Sequence, residues 1–310
     1  MTYILLFFWF ASAVFVIKER KIVRLIIYLA IFAAVSGGCF LLLGAPDVAM
    51  AGIITSVFTT ILFIVCFERY YDLAYSPITE QKSAVLKSRI IKNYIAPFCF
   101  TVLLIALFIR FIPDTASNDY LKKLYVSRFM YDIGGENAVT AIYLGYRMYD
   151  TLLEALMLLV SIMAVIHLSW HKSISRSHGK QSGVRNSTIA VITVRLVCPI
   201  LVLFSIYLIM NGHISPGGGF HGGVVAASFF VCRYMIYEIY DIRITKVITV
   251  EKLVFTGIVL LAVCFIFLNL ESFFMIPKTL YLVLMNLLVG VKVACGFLII
   301  FYRFIALERG

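Results

Sequence analysis

The sequence predicts an all-α, polytopic integral membrane protein with about nine transmembrane helices. Composition is the first reason: 62% of the 310 residues are hydrophobic and 14% are charged, more apolar surface than a soluble domain can bury. The second is segmentation. Apolar stretches long enough to span a bilayer run at roughly 2–17, 22–43, 48–67, 94–112, 138–168, 190–210, 217–239, 252–270 and 279–302. The third is charge. With the N-terminus outside, 20 of the 27 Lys and Arg fall in cytoplasmic segments, 6 fall in outer ones, and Lys292 lies within a helix. The positive-inside rule therefore puts the N-terminus outside and the C-terminus in the cytoplasm. It also accounts for the net charge of +11. The basic residues are dispersed and form no single stripe, so nucleic acid is not expected as a partner.

The elements follow in order. The first apolar stretch has no basic residue before it and is followed by Lys18, Arg20, Lys21 and Arg24, so it reads as a retained helix and not a cleaved signal peptide. Gly44-Ala45-Pro46-Asp47 opens the third helix, with Asp47 in its first turn. A polar stretch at 76–93 precedes the fourth helix. The external segment 113–137 carries both charge signs with Tyr and Leu, which suggests a short interfacial helix ended by Gly134-Gly135. The fifth helix spans 138–168. Residues 171–188, rich in Ser, Gly and basic residues, read as a flexible cytoplasmic linker between five helices and four. The segment from Asn211 to Gly223 separates the next two helices. Ser215 can cap a helix and Pro216 suits its first turn. The seven cysteines form no CxxC pair and suggest neither a disulfide framework nor an iron–sulfur site. There is no internal repeat.

Ionisable groups inside a membrane span are costly and mark candidate sites. Arg147, Asp150 and Glu154 fall within about 60° of one face of a regular helix. They read as a proton or cation relay, with Glu154 deepest, or as an interfacial ion pair that fixes helix position. Lys292 sits near the middle of the last helix, about 15 Å from either interface. It either lines a hydrated path or pairs with a carboxylate of another helix. Asn286 precedes it on the same helix. Asp47 is placed to complement the helix N-terminus or to join an ion relay. His167 and His171 form an interfacial pair. His213 and His221 flank the glycines, where they could sense external pH, but no third metal ligand is evident. Gly218-xxx-Gly222 and Gly219-xxx-Gly223-xxx-Ala227 make a small-residue groove for helix packing, or an anion-friendly helix N-terminus at the outer mouth of an ion path.

These residues carry a resemblance. Gly212-His213-Ile214-Ser215-Pro216-Gly217-Gly218-Gly219-Phe220, with Gly222-Gly223, resembles the GHxxPGGGFxGG signature of the B subunit of Mrp-type multisubunit sodium/proton antiporters. Asn286 to Gly296, including Lys292, is similar to the last helix of that protein. The first half resembles the C-terminal part of the Mrp A subunit and the D and E subunits of membrane-bound hydrogenases. It does so through Leu43 to Ala49, Asn137 and Arg147-Met148-Tyr149-Asp150-Thr151-Leu152-Leu153-Glu154. The same five helices are similar to the small five-helix membrane subunit of respiratory complex I. One departure stands out: the family usually has Glu or Gln five residues after the aspartate, and here that position is Gly52.

The resemblance implies a fusion: residues 1–170 like the C-terminal part of the Mrp A subunit, linker 171–188, and residues 189–310 like the Mrp B subunit. It implies a subunit of a cation (sodium)/proton antiporter in a prokaryotic cell membrane, working with other subunits of an Mrp-type or hydrogenase-type complex. Glu154, Asp150, Arg147, Lys292 and Asp47 are the ion-translocation candidates. His213, Pro216, Gly217, Gly218, Gly219, Phe220, Gly222 and Gly223 form an outer packing motif. No catalytic, cofactor or nucleotide motif occurs. The same module in a redox-driven complex is the alternative, and a scaffold between pumping subunits is a third reading.

Overall fold

The computed structural model describes residues 2–19, 21–70, 115–168, 188–237, 244–268 and 277–306, with single positions between 99 and 110. The sequence readings at 76–93, at 171–187, at His171 and over most of 94–112 lie outside the described residues. The described residues are helical, with no strand among them. The helices are α1 (Thr2–Lys18), α2 (Ile22–Leu42), α3 (Pro46–Tyr70), α4 (Thr115–Asp132), α5 (Ala138–Ala141), α6 (Met148–Leu168), α7 (Thr188–Met210), α8 (Gly219–Tyr237), α9 (Ile244–Leu268) and α10 (Lys278–Ala306). A five-residue π-helical segment, Ile142–Tyr146, joins α5 to α6. Six of these, α2, α3, α6, α7, α9 and α10, are long and apolar enough to cross a membrane.

Residues Met1–Tyr70 and Phe129–Gly310 form one compact unit, and Tyr71–Arg128 form a second. In the first, α10 is the central helix, with 50% of its spanning window buried. Two apolar cores flank it. One joins Phe58 and Leu62 of α3 to Val224, Ala227 and Val231 of α8 and to Val293, Leu298 and Phe301 of α10. The other joins Ala141, Leu144 and Met148 to Val254, Ile258 and Ala262 of α9 and to Tyr281, Leu282 and Met285 of α10. Residues from both sides of 171–188 thus share the same cores. The α1–α2 hairpin is held by Trp9 Nε1–H donating to Ser36 Oγ at 2.8 Å.

Three expectations change. The fifth helix is not continuous over 138–168: the π-helical segment breaks it, and Arg147 takes a non-helical conformation (φ −116°, ψ 35°). A π turn holds one extra residue, which frees backbone carbonyls that side chains must satisfy. Thr151 Oγ1 donates to the Tyr143 carbonyl at 2.6 Å, and Tyr281 Oη donates to that of Leu144 at 2.9 Å. The ladder from Arg147 through Glu154 therefore does not lie on one regular helix. Secondly, α9 starts at Ile244, not near 252, which brings Glu251 inside the helix. Its early hydroxyls are satisfied locally, Thr249 by the Thr245 carbonyl. Thirdly, Ser215 does not cap α8. Its hydroxyl turns back to the Asn211 carbonyl, and α8 begins only at Gly219 because Gly217 (φ 148°) and Gly218 (φ 106°) are in backbone conformations that cannot be helical.

Gly52 lies in α3, and a Cβ added there would meet nothing within 4 Å. Gly52→Ala is expected to raise stability by about 0.5–1 kcal/mol through backbone entropy, read as a higher unfolding midpoint of the purified chain.

Candidate functional site

Among the described residues, the ionisable groups singled out by the sequence fall in three places. The most buried is Lys292 of α10, whose Nζ donates to Glu251 Oε1 of α9. Each residue is 1% exposed. The Phe255 ring lies 4.7 Å from Nζ, so a cation–π contact adds to the ion pair. Small residues surround the lysine along α10. A Cβ at Gly290 would come within 2.8 Å of Ile209, and one at Gly296 within 2.8 Å of Ile162. Neighbouring helices therefore pack closely against α10 on both sides of the lysine in sequence. Two charges in such a site persist only as partners, since either alone would be strongly disfavoured.

The second place is the glycine segment. Here the backbone amides ahead of α8 are already used. Gly217 N–H donates to Asp47 Oδ1 at 3.2 Å, Gly218 N–H to the Leu208 carbonyl at 3.1 Å, and Gly219 N–H to Asn286 Oδ1 at 3.0 Å. The anion at this helix N-terminus is thus the chain's own Asp47 carboxylate, carried on α3 from the other half of the sequence. Asn286, 1% exposed, also accepts from Tyr143 Oη at 3.3 Å. Thr140 Oγ1 donates to the Gly212 carbonyl at 2.6 Å, and Asn137 Nδ2 to that of Ser215 at 3.1 Å. His213 Nδ1 lies 3.0 Å from the Met210 carbonyl, and His221 Nδ1 lies 2.8 Å from that of Gly217. Behind the loop, α8 meets its neighbours nearly backbone to backbone. An added Cβ would lie 2.2 Å from the Asn286 carbonyl oxygen at Gly219, 2.5 Å from the Gly290 oxygen at Gly223, and 2.9 Å from the Ser205 oxygen at Gly222. Phe220 packs beside the α3–α8–α10 core, and Pro216 leads into the left-handed pair Gly217-Gly218.

The third place is the outward face of α6. Arg147 Nη2 pairs with Asp150 Oδ2, and their side chains are 63% and 52% exposed. Glu154 follows one turn further along the helix and is exposed as well. This trio does not meet the buried Lys292–Glu251 pair.

Residues 189–307 match a family described as a domain related to the MnhB subunit of Na+/H+ antiporters, and residues 7–71 match the family of the MBH D subunit. A Rhizobium meliloti (strain 1021) protein, named as the A/B subunit of a "Probable K(+)/H(+) antiporter", is 22% identical over 63% of this chain and 22% of its own length. The B subunit of the Na(+)/H(+) antiporter of Bacillus subtilis (strain 168) is 40% identical over 19% of this chain and 41% of its own. The chain thus joins an MbhD-like segment to an MnhB-like one, the arrangement of an Mrp-type A–B fusion. Among solved structures, a chain of the Mrp complex from Dietzia sp. DQ12-45-1b has a similar fold, with TM-score 0.74 and 18% identity over 99% of the fusion and 35% of that chain. A chain of the membrane-bound sulfane sulfur reductase, an archaeal respiratory membrane complex, matches with TM-score 0.54 and 27% identity over 68% of the fusion and 96% of that chain. The fusion spans about a fifth to two fifths of the length of the two named antiporter relatives.

Glu251 is the ion-pair partner that sequence reasoning missed. The signal was present, since Glu251 is the one acidic residue of a 25-residue helix whose other charges are Lys246 and Lys252. Its neighbour Lys252 made the pair look like an interfacial boundary. Tyr143 and Thr140 were missed too, because their partners lie on α10 and in the loop before α8.

Proposed function

We propose that the fusion is a membrane subunit of a multisubunit cation/proton antiporter and takes part in both ion translocation and assembly. The observation that carries this is the placement of five ionisable groups inside or at the ends of apolar spans, in two sets: Lys292–Glu251 within the MnhB-like part, and Arg147, Asp150 and Glu154 on the open face of α6. A carboxylate facing lipid is costly, so the α6 face is where another subunit covers the chain and shares a cation path. Asp47 ties α3 to the glycine segment and completes the set. In this reading the chain has nine spans, with domains 1–170 and 189–310 about the linker 171–188. It lies in a prokaryotic cell membrane with the N-terminus outside and the C-terminus in the cytoplasm.

Glu154→Gln, in the complex assembled with its partner subunits in membrane vesicles, is expected to lower cation-induced dissipation of a proton gradient at least about tenfold, as for loss of a proton-transfer group. Subunit recovery on purification should be unchanged. Full exchange by this variant would remove Glu154 from the path. The likeness to the sulfane sulfur reductase chain favours a second reading, a redox-driven complex with the same membrane module. Co-purified subunits carrying redox centres would select it.

A further inference from the structure

We propose that the end of the MnhB-like bundle remote from the glycine segment binds an anionic phospholipid. A belt of Arg195, Arg233, Lys246 and Arg303 takes its phosphate, and exposed apolar stripes beside the belt take its acyl chains. This goes beyond the antiporter reading and does not depend on it. The four residues stand on four different helices, α7, α8, α9 and α10. The contacts between those helices bring them to one height. α8 and α10 run parallel at a fixed offset. Gly219 bonds to Asn286, Gly223 abuts the Gly290 carbonyl oxygen, and the Tyr234 ring lies 5.4 Å from that of Phe301. That offset sets Arg233 level with Ile300, about one turn before Arg303. α7 runs antiparallel to α8, with the Ser205 hydroxyl donating to the Gly222 carbonyl and the Gly218 N–H to that of Leu208. Arg195 is thereby level with Cys232, beside Arg233. α9 runs antiparallel to α10 through Glu251 and Lys292, with Gly257 against the Leu288 side chain. Lys246 is thereby level with Leu298. At about 1.5 Å per residue, the four backbone positions fall within about 8 Å along the bundle, and Arg233 lies about 21 Å from Gly219. In a hydrocarbon core about 30 Å thick, that places the belt near one interface.

The charge of the belt is not balanced by its own helices. Glu251 is the one carboxylate among the described residues of α7 to α10, and Lys292 already takes it. Arg195, Arg233 and Lys246 are exposed, and Arg303 is half-buried. Lys252 is exposed as well. It lies about 9 Å further along α9, and its flexible stem can extend back toward the belt. Two members of the belt each head an apolar track. On α7, Leu196, Ile200 and Leu203 follow Arg195 on one face and are 63%, 57% and 69% exposed. On α9, Val250, Leu253 and Leu260 follow Lys246 and are exposed too. The α7 track alone covers about 10 Å of helix. Cationic and apolar surface thus succeed one another as phosphate and acyl chain do in a lipid. Guanidinium groups match phosphate oxygens in a fork, and basic pockets between membrane helices hold anionic headgroups. A free phosphate ion would use the belt and none of the apolar tracks, so the lipid is the occupant that fits both.

The test uses the full chain in its assembled complex, in vesicles of equal parts phosphatidylglycerol and phosphatidylcholine with identical acyl chains. A photo-crosslinking side chain placed at Leu196 captures the neighbouring lipid, and mass spectrometry of the adduct counts the two headgroups. The intact belt is expected to capture phosphatidylglycerol over phosphatidylcholine at least about tenfold, since each basic residue near the surface contributes about fivefold. The triple variant Arg195→Gln, Arg233→Gln, Lys246→Gln should bring the ratio close to one. Arg195→Gln alone, at an exposed site, should lower it about fivefold and decides the matter where the triple variant does not assemble. Lys278→Gln, at the other end of α10, should leave the ratio unchanged, and so should excess inorganic phosphate. Equal capture of the two lipids by the intact belt, or a preference untouched by Arg195→Gln and by the triple variant, overturns the proposal. Loss of the preference in inorganic phosphate makes the belt a free-anion site and overturns the lipid as its occupant. A preference retained in a complex that exchanges no cation for protons upholds the lipid site and overturns the antiporter reading alone.

Discussion

Lys292→Ala is expected to be among the most damaging single substitutions in the bundle. It leaves the Glu251 carboxylate, 1% exposed, without its partner inside the bundle. Breaking one side of a buried pair costs about 3–5 kcal/mol, and Glu251→Ala should cost a similar amount by stranding the ammonium. Thermal unfolding of the complex in detergent, followed by loss of the monodisperse size-exclusion peak, measures this. The double variant Lys292→Met with Glu251→Leu separates stability from function. Two apolar side chains of similar reach can fill the space, so assembly should return to within about 1 kcal/mol of wild type. Exchange should not return, because the buried ionisable pair between α9 and α10 is gone. A double variant that regains both assembly and exchange would make the pair a structural clamp and leave translocation to the α6 face.

Gly219→Ala is expected to fail for a different reason. The added methyl would lie 2.2 Å from the Asn286 carbonyl oxygen. That oxygen belongs to the backbone of α10 and cannot rotate away. Relief requires α8 and α10 to separate, which breaks the Gly219 N–H bond to Asn286 Oδ1 and opens the α3–α8–α10 core. Overpacking alone costs about 1–3 kcal/mol, and the lost buried hydrogen bond adds about 1–3 kcal/mol more. The expected reading is absence of assembled complex at normal expression, with Gly223→Ala, 2.5 Å from the Gly290 oxygen, behaving alike. Gly52→Ala, with open space around it, is the internal control. Wild-type recovery of Gly219→Ala would mean that α8 and α10 do not meet as closely as described.

Much of the site was legible before any coordinates. Lys292 stood out because no lysine can snorkel from the middle of a span. The glycine segment stood out because no simple turn needs so many residues without side chains. Asp47 was seen at its helix end, but its partner was not, since the backbone N–H of Gly217 lies 170 residues away. Asp47 was read as complementing the N-terminus of its own helix or joining a relay, and its carboxylate accepts from the Gly217 N–H ahead of α8. Glu251 escaped because a charged pair at 251–252 looks like a helix boundary, and only a lysine from another helix makes it acceptable inside. The regular ladder drawn through Arg147 failed because helical periodicity assumes an unbroken helix, and the π-helical segment is sustained by Thr151 and by Tyr281 of α10.

The sequence by itself determined the class of the protein, the apolar segments and the residues too polar or too small to be there by default. Those are properties of each segment's own transfer to a bilayer, and they are local. Only the tertiary structure decided which groups meet: Lys292 with Glu251, Asp47 with the Gly217 N–H, and Asn286 with Gly219 and Tyr143, with Arg147, Asp150 and Glu154 facing outward. Inside a bilayer the apolar side chains gain little from one helix neighbour over another. Pairing is therefore set by a few close backbone approaches and buried polar contacts between distant residues, and no periodicity along the chain records those.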